Sequence, residues 1–517
     1  MMGRAVARAA SGALASDVVP PPSRHPLLYQ LNTRILLGEL GRTLGCPATL
    51  NDVPDALLEE VARLGFDWVW FLGVWTTGPA GRAVSRSRAG WREGFLRDLP
   101  DLREEDITGS PFAIQAYDVA PEYGGDAALA RLRARLARRG QRLLLDFVPN
   151  HVSPDHPWTS AHPEFFIEGT EQDLAGAPEN WVRVDGRVLA HGRDPYFPGW
   201  PDTLQLDYRH PGLRAAMREE LSRVAARCDG VRCDMAMLVL PEVFGRTWGE
   251  ARAASSGGGP CSCAPFWPEA IAGVKARRPE FVFLAEVYWD LEWTLQQQGF
   301  DFTYDKRLYD RLRNGDARAV REHLQADPAF QDRCARFLEN HDEPRAAAVF
   351  GPEQERSAAV IAFLAPGLRF FHEGQLEGRK VHASMHLGRR PDEPPDRALR
   401  EFHERLLALL AREEAHVGRW QLCACRPAWS ENPSWERLVV MAWDAGEGRR
   451  LLVAVNYGPT QAQCWTQVPF AELRGEVVLE DLLGEARYVR DAGELGANGL
   501  YLDLPPWGRH VFEVTSS

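Results

Sequence analysis

Between about residues 25 and 415 the chain alternates short apolar runs with amphipathic stretches, and this alternation restricts the fold more than any other feature. Runs of strand length and composition are Leu27–Thr33, Asp67–Phe71, Arg142–Phe147, Gly230–Asp234, Phe281–Glu286, Asp301–Tyr304, Ala335–Leu338 and Gly367–Phe371. Helical patterns fill most of the gaps, at Asp55–Leu64, Ala127–Arg139, Leu213–Arg227, Trp267–Arg277, Lys306–Gln325, Glu353–Phe363 and Arg397–Arg412. Leu129, Leu132 and Leu136, for example, fall on one helical face. Strands alternating with helices imply βαβ units and a parallel sheet, and eight such units fit a closed (β/α)8 TIM barrel. An open doubly wound sheet is the alternative, but no Gly-x-Gly-x-x-Gly turn follows an early strand.

Two connections are far longer than a barrel needs, residues 73–125 and 152–210, and long loops at strand C-termini commonly build a binding site. The second carries Trp158, Phe165, Phe166, Trp181, Tyr196, Phe197 and Trp200, and reads as a small subdomain, 152–207, inserted after the third strand. The barrel then occupies 26–151 and 208–416. The Ser255–Pro260 segment reads as a tolerated insertion. Beyond residue 417 the pattern changes to short strands separated by Gly, Pro and Asp: Leu438–Trp443, Leu451–Asn456, Gln461–Thr466, Glu476–Leu479, Tyr501–Leu504 and His510–Val514. These predict a C-terminal antiparallel β-sandwich over 417–517. Residues 1–25, which end near Pro20-Pro21-Pro22, read as a disordered tail without a convincing secretory core, so a cytoplasmic location is expected.

Composition removes several functions. Lys+Arg total 60 against Asp+Glu 72, a net charge of -12 that disfavours nucleic acid as a partner. Only Lys275, Lys306 and Lys380 interrupt a set of cations otherwise made of Arg, a bias expected of a high-GC genome. No apolar run approaches the roughly 18 residues of a membrane span. Nine cysteines without regular spacing, including the tight pairs Cys261-Ser-Cys263 and Cys423-Ala-Cys425, argue against a zinc site and for reduced thiols. The 17 Trp residues serve mostly as core, although flat rings also suit sugar faces.

Carboxylates stand at the C-terminal ends of four predicted strands: Asp146 in Leu143–His151, Asp234 in Gly230–Asp234, Glu286 in Phe283–Glu286 and Asp342 in Phe337–Asp342. A barrel opens all its strand C-termini onto one face, so these groups converge. In Arg232-x-Asp234 the two-residue period puts guanidinium and carboxylate on the same side, which holds the carboxylate ionised. Apolar neighbours around Glu286 favour a raised pKa and general-acid use. With His151 and His341 added, the set suits glycoside cleavage through an oxocarbenium-like transition state. Each residue alone has a structural reading, and Asp146, preceded by three Leu, is given a supporting role.

Taken in order, Asp146–His151, Gly230–Asp234, Leu284–Val287 and Asn340–Asp342 resemble the conserved regions of the alpha-amylase family, glycoside hydrolase family 13. Leu204–Asp207 and Pro366–Gln375 resemble further segments of it. The resemblance implies a retaining mechanism with Asp234 as nucleophile, Glu286 as acid and base, and Asp342 as stabiliser of the distorted ring. It implies that Arg232 orients Asp234, and that His151 and His341 bind the sugar, with Asn150 supporting. Phe112 occupies the place of a stacking Tyr, and Trp200 and Trp289 are the aromatic subsite candidates, with Trp158 and Trp181 to be tested beside them. Met237 and Leu238 stand where starch-cleaving members carry Lys-His, which argues against the family's calcium; Asn150 and Asp207 are the remaining candidate ligands, and no cofactor is expected. The implied substrate is an α-1,4-glucan or maltooligosaccharide cleaved by hydrolysis. The alternatives are a maltose-releasing exo-enzyme or 4-α-glucanotransferase and, from another class, a non-catalytic glucan-binding homologue.

Overall fold

In the computed structural model, which describes residues 24–249, 265–470 and 472–516, the eight runs close into a parallel barrel. Its strands are β1 (Leu27–Asn32), β2 (Trp68–Leu72), β3 (Arg142–Phe147), β4 (Gly230–Cys233), β5 (Val282–Ala285), β6 (Phe302–Tyr304), β7 (Cys334–Arg336) and β8 (Leu368–His372). Each pairs with its neighbours in the sequence and β8 returns to β1, setting Leu27 opposite Arg369 and Leu28 opposite Trp68. Every residue of β2, β3, β4 and β5 is buried. Parallel strands are covered on both faces, which is why these segments read as continuous apolar runs without alternation.

Arg142–Phe147 is as expected, and the other strands differ from expectation by a residue or two at their ends. Thr33 begins a helix, Thr33–Leu44, because the Asn32 side chain accepts from the backbone N–H of Arg34 (3.1 Å) and Ile35 (3.3 Å). The long helix expected over Lys306–Gln325 is two, Lys306–Arg313 and Ala317–Leu324. Gly315, at φ 69, ends the first, and Asp316 caps the second through Ala319 N (2.9 Å). Residues 73–125 form an antiparallel hairpin, Trp75–Thr77 with Ile114–Val119, enclosing helices Pro79–Ser87 and Ala89–Asp98.

The insertion after β3 holds two small antiparallel pairs, His151–Val152 with Leu204–Gln205 and Trp181–Val184 with Arg187–Ala190. The C-terminal region is a six-stranded antiparallel sheet facing a three-stranded one. Alternation assigns the two faces of its central strands to two cores. Leu438, Val440, Leu452 and Ala454 fill the space between the sheets, while Val439, Met441, Trp443, Leu451 and Val453 join the barrel core. Trp443 Nε1 donates to Leu364 O (2.8 Å), tying this region to the barrel. The strands Arg419–Leu422, Cys425–Pro427 and Arg487–Asp491 carry no apolar alternation that would announce them; the last is exposed throughout. Seven cysteines are free thiols among the described residues. The Ser255–Pro260 segment and Cys261-Ser-Cys263 lie outside those residues. No helix among them is long and apolar enough to cross a membrane.

Candidate active site

Arg232, next to last in β4, is wholly buried and organises the C-terminal mouth of the barrel. Its Nη1 lies 2.5 Å from Asp234 Oδ1, its Nη2 2.8 Å from Glu286 Oε2, and the same nitrogen 3.8 Å from Asp342 Oδ2. Nε donates to Tyr304 Oη at the end of β6 (3.4 Å). The rings of Trp70, Phe112 and Tyr304 surround the guanidinium at 5.5, 5.1 and 5.7 Å. Three carboxylates from three strand ends therefore meet on one cation.

The sheet ladder sets their positions. Asp234 N donates to Phe147 O (2.9 Å) and Glu286 N to Cys233 O (3.0 Å), so both residues continue the pairing one step beyond their strands. Glu286 is 3% exposed. Its Oε2 accepts from Met235 N (2.6 Å) and its Oε1 from Tyr288 Oη (2.8 Å). Burial raises the Glu286 pKa, Arg232 opposes the rise, and the Asp234 charge adds to it. Met235 holds φ 41, a left-handed turn that brings its N–H onto that carboxylate. Asp342 is the most open of the three, with 29% of its side chain exposed, and its backbone N–H is held by Asn340 Oδ1 (2.8 Å). Loss of hydration at the cleft floor, then Glu286, push its carboxyl well above the usual range.

The two histidines flank this cluster as neutral groups. Burial lowers both pKa values, and Arg232 lowers that of His341 further. Gln30 Nε2, on β1, lies 2.8 Å from His341 Nδ1, which orients the ring so that Nε2 stands 3.1 Å from Asp342 Oδ2. His151 packs on Trp200, ring centroids 5.1 Å apart, and Gly192 must be glycine there because a Cβ would stand 2.8 Å from His151 Cβ. Phe112 is 7% exposed and packs on His341 (5.4 Å) as well as on Arg232. Trp289 sits just past Glu286 in a left-handed pair with Asp290 (φ 65 and 61), its ring against Tyr196 at 5.0 Å. Tyr196 and Phe197 are 58% and 66% exposed at the tip of the inserted loop.

Asp146 stands beside the cluster but faces protein. It accepts from Trp70 Nε1 (3.0 Å) and Gly73 N (2.7 Å), and burial lifts its pKa to about 6. It thus fixes the turn after β2. Of the two further tryptophans, Trp181 is buried and Trp158 is half-buried. Trp158 packs on Phe165 (5.4 Å), and Trp181 on Trp248 (6.4 Å) under Gly169.

The candidate calcium ligands do not fit a calcium ion. Both Asp207 oxygens accept from the Arg209 guanidinium, at 2.8 Å each, and Asn150 Oδ1 accepts from Gln205 Nε2 (2.9 Å). A guanidinium occupies the anion that a cation would need, and Met237 and Leu238 nearby are buried and apolar. No cluster of three or more metal-ligating side chains occurs among the described residues.

Tyr288, Gln30, Tyr304 and Trp70 were absent from the sequence-based site. Tyr288 follows Glu286 by two residues and was legible from the period of an extended segment. The other three lie on strands without a local motif and come into place only through barrel closure.

The family model of the alpha-amylase catalytic domain matches residues 111–393, just over half of the chain. The alpha-amylase MalA of Haloarcula japonica is 28% identical over 284 residues, covering 53% of this chain and 36% of that protein. An alpha-1,4-glucan:maltose-1-phosphate maltosyltransferase of Rhodospirillum rubrum is 28% identical over 286 residues, covering 54% and 34%. The chain spans only about a third to a half of the length of these and other curated relatives. Among solved structures, a maltogenic alpha-amylase of Thermotoga neapolitana superposes with TM-score 0.67 at 18% identity, covering 96% of this chain and 99% of that one. An alpha-amylase of Lactobacillus plantarum gives 0.65 at 20% identity, covering 95% and 98%. Together with the parallel barrel, the family match establishes that this chain belongs to the alpha-amylase family, glycoside hydrolase family 13.

Proposed function

We propose that the protein is a retaining enzyme that cleaves α-1,4-glucosidic bonds, with Asp234 as nucleophile, Glu286 as acid and base, and Asp342 as transition-state stabiliser. The observation that carries this reading is the single guanidinium shared by Asp234 and Glu286. Two carboxyl groups drawn onto one guanidinium suit double displacement, in which the pair stands about 5 Å apart, better than inversion, which needs roughly 6.5–9.5 Å. Asp234 Oδ attacks the anomeric carbon, the glycosidic C–O bond breaks, and the Glu286 proton passes to the leaving oxygen. In the second step the Glu286 carboxylate takes a proton from water or a sugar hydroxyl, whose oxygen displaces Asp234 and restores the α-anomer. Neutral His341, oriented by Gln30, and His151 supply donors to the sugar hydroxyls. No cofactor enters these steps. The barrel is read as residues 26–151 and 208–416, with the insertion 152–207 and the β-domain 417–517 around it.

A second reading, transfer to a sugar acceptor, has two supports. Maltosyltransferases occur among the relatives, and Trp289, just past Glu286, packs on the exposed Tyr196, with exposed Phe197 next in the chain, an aromatic surface that suits a sugar face. Maltoheptaose separates the two: shorter products alone mean hydrolysis, and products longer than the substrate mean transfer. The first product by NMR should be the α-anomer, and Asp234→Asn should lower kcat by about 10⁴-fold or more. An initial β-anomer, or a variant of near-normal rate, overturns the assignment.

A further inference from the structure

A second cavity, of 960 Å³, opens on the flank of the barrel. Helix Thr33–Leu44, the Trp75–Thr77 strand, and the segments 101–108 and 388–392 wall it. In a protein of net charge -12 its lining is unexpectedly cationic. Two of its arginines are neutralised within the wall or just behind it, Arg389 by Asp101 and Asp106, and Arg390 by Glu39 and Glu373. Arg103 has Glu105 at 3.6 Å. Arg34, Arg42, Arg82 and Arg86 have no ion pair among the described residues, and the remaining carboxylates of the lining are Glu122 and Asp392.

Arg34 forms the floor. It is 5% exposed, and its guanidinium donates to neutral oxygens: Gly109 O, Thr108 Oγ1 (3.3 Å), Thr77 Oγ1 (3.0 Å) and the Tyr123 hydroxyl. Its Nε, like that of Arg82, is a buried donor without an acceptor. Burial, and the approach of Arg82, lower the Arg34 pKa, with Tyr123 opposing. Gly109, at φ 86, lets its segment press on Arg82, whose Cα would lie 3.0 Å from a Cβ there. A buried cation without a counter-ion is costly, and the fold maintains one beside a second.

We propose that this cavity binds a phosphate group, carried as the free ion or on a sugar. Planar guanidinium forks match phosphate oxygens two at a time. The volume lies within the usual range for small-molecule sites and accepts a monosaccharide phosphate. The site is separate from the Arg232 cluster, and the proposal stands whichever reaction that cluster performs.

The test is calorimetric titration of the full chain with inorganic phosphate, glucose 1-phosphate and glucose, at matched ionic strength. Thermal melts in the same ligands accompany it. Saturable binding of phosphate and of the ester, none of glucose, and a rising Tm are expected. Equal affinities assign the free ion, and about tenfold tighter binding of the ester assigns the sugar phosphate. Because Arg34 is buried in the wall and its loss endangers folding, the double variant Arg82→Gln, Arg86→Gln carries the test: it should lose binding about tenfold or more while keeping its melt without ligand. Absence of saturable binding at millimolar phosphate, or undiminished binding by a folded double variant, overturns the proposal.

Discussion

Two arginines on barrel strands, Arg232 on β4 and Arg336 on β7, are both fully buried, yet they are neutralised in opposite ways. Arg336 faces one carboxylate, Asp305, which also holds His323 Nε2 (2.9 Å), and its other nitrogens donate to Gln331 and to Pro366 O (3.1 Å). The charges balance. Although burial opposes it, the pull of His323 and Arg336 holds the Asp305 carboxyl far below the usual range. Arg232 faces three carboxylates, and burial, with repulsion among the carboxylates added, raises the pKa values of Glu286 and Asp342. A matched pair is a structural fastener. An unmatched cluster with one member open to the cleft has raised carboxyl pKa values, the setting in which acid–base groups are found.

The largest expected effect tests this contrast directly. Arg232→Met and Arg336→Met each strand buried carboxylate and should each cost about 3–5 kcal/mol of stability in denaturant melts. Only the first should also abolish turnover at a temperature where both proteins remain folded. Equal kinetic damage from the two would erase the distinction drawn here.

A smaller effect concerns the insertion. Because Arg209 supplies the positive charge at Asp207, a chelator should leave the Tm of the native protein unchanged. Arg209→Met should cost about 2 kcal/mol, the value of a charged hydrogen-bonded pair. A Tm that falls in chelator and recovers with calcium would show a metal site that the hydrogen bonding here does not accommodate.

The mildest change is Tyr288→Phe. The hydroxyl donates to the ionised Glu286 and so lowers its pKa; without it the pKa rises further. With Glu286 as the proposed acid, the alkaline limb of kcat/KM should move to higher pH while kcat falls a few fold. An unmoved limb would place the acid elsewhere.

The legible part of the site followed from local grammar. Arg232 and Asp234 share a strand face by period two, and Glu286 and Asp342 sit where apolar runs end, so their convergence follows from the barrel itself. What sequence left hidden is non-local or context-dependent. Gln30 on β1 reaches His341 in the loop after β7 only because the barrel closes, and 311 residues separate the two in the chain. Trp158, Trp181 and Trp200 lie in one aromatic segment, and nothing in its composition says which ring meets solvent. Packing buries Trp181 and leaves Trp158 half-buried on Phe165 and Trp200 half-buried on His151.

The sequence by itself determined the barrel, the order of its strands and the identity of the carboxylates, because strand period and helix alternation are properties of neighbours along the chain. Only the tertiary structure decided which charges are shared, which oxygens of Asn150 and Asp207 are already taken, and that unpaired arginines gather on the barrel's flank. Those outcomes depend on distances between segments remote in sequence and on burial, which sets the cost of each charge.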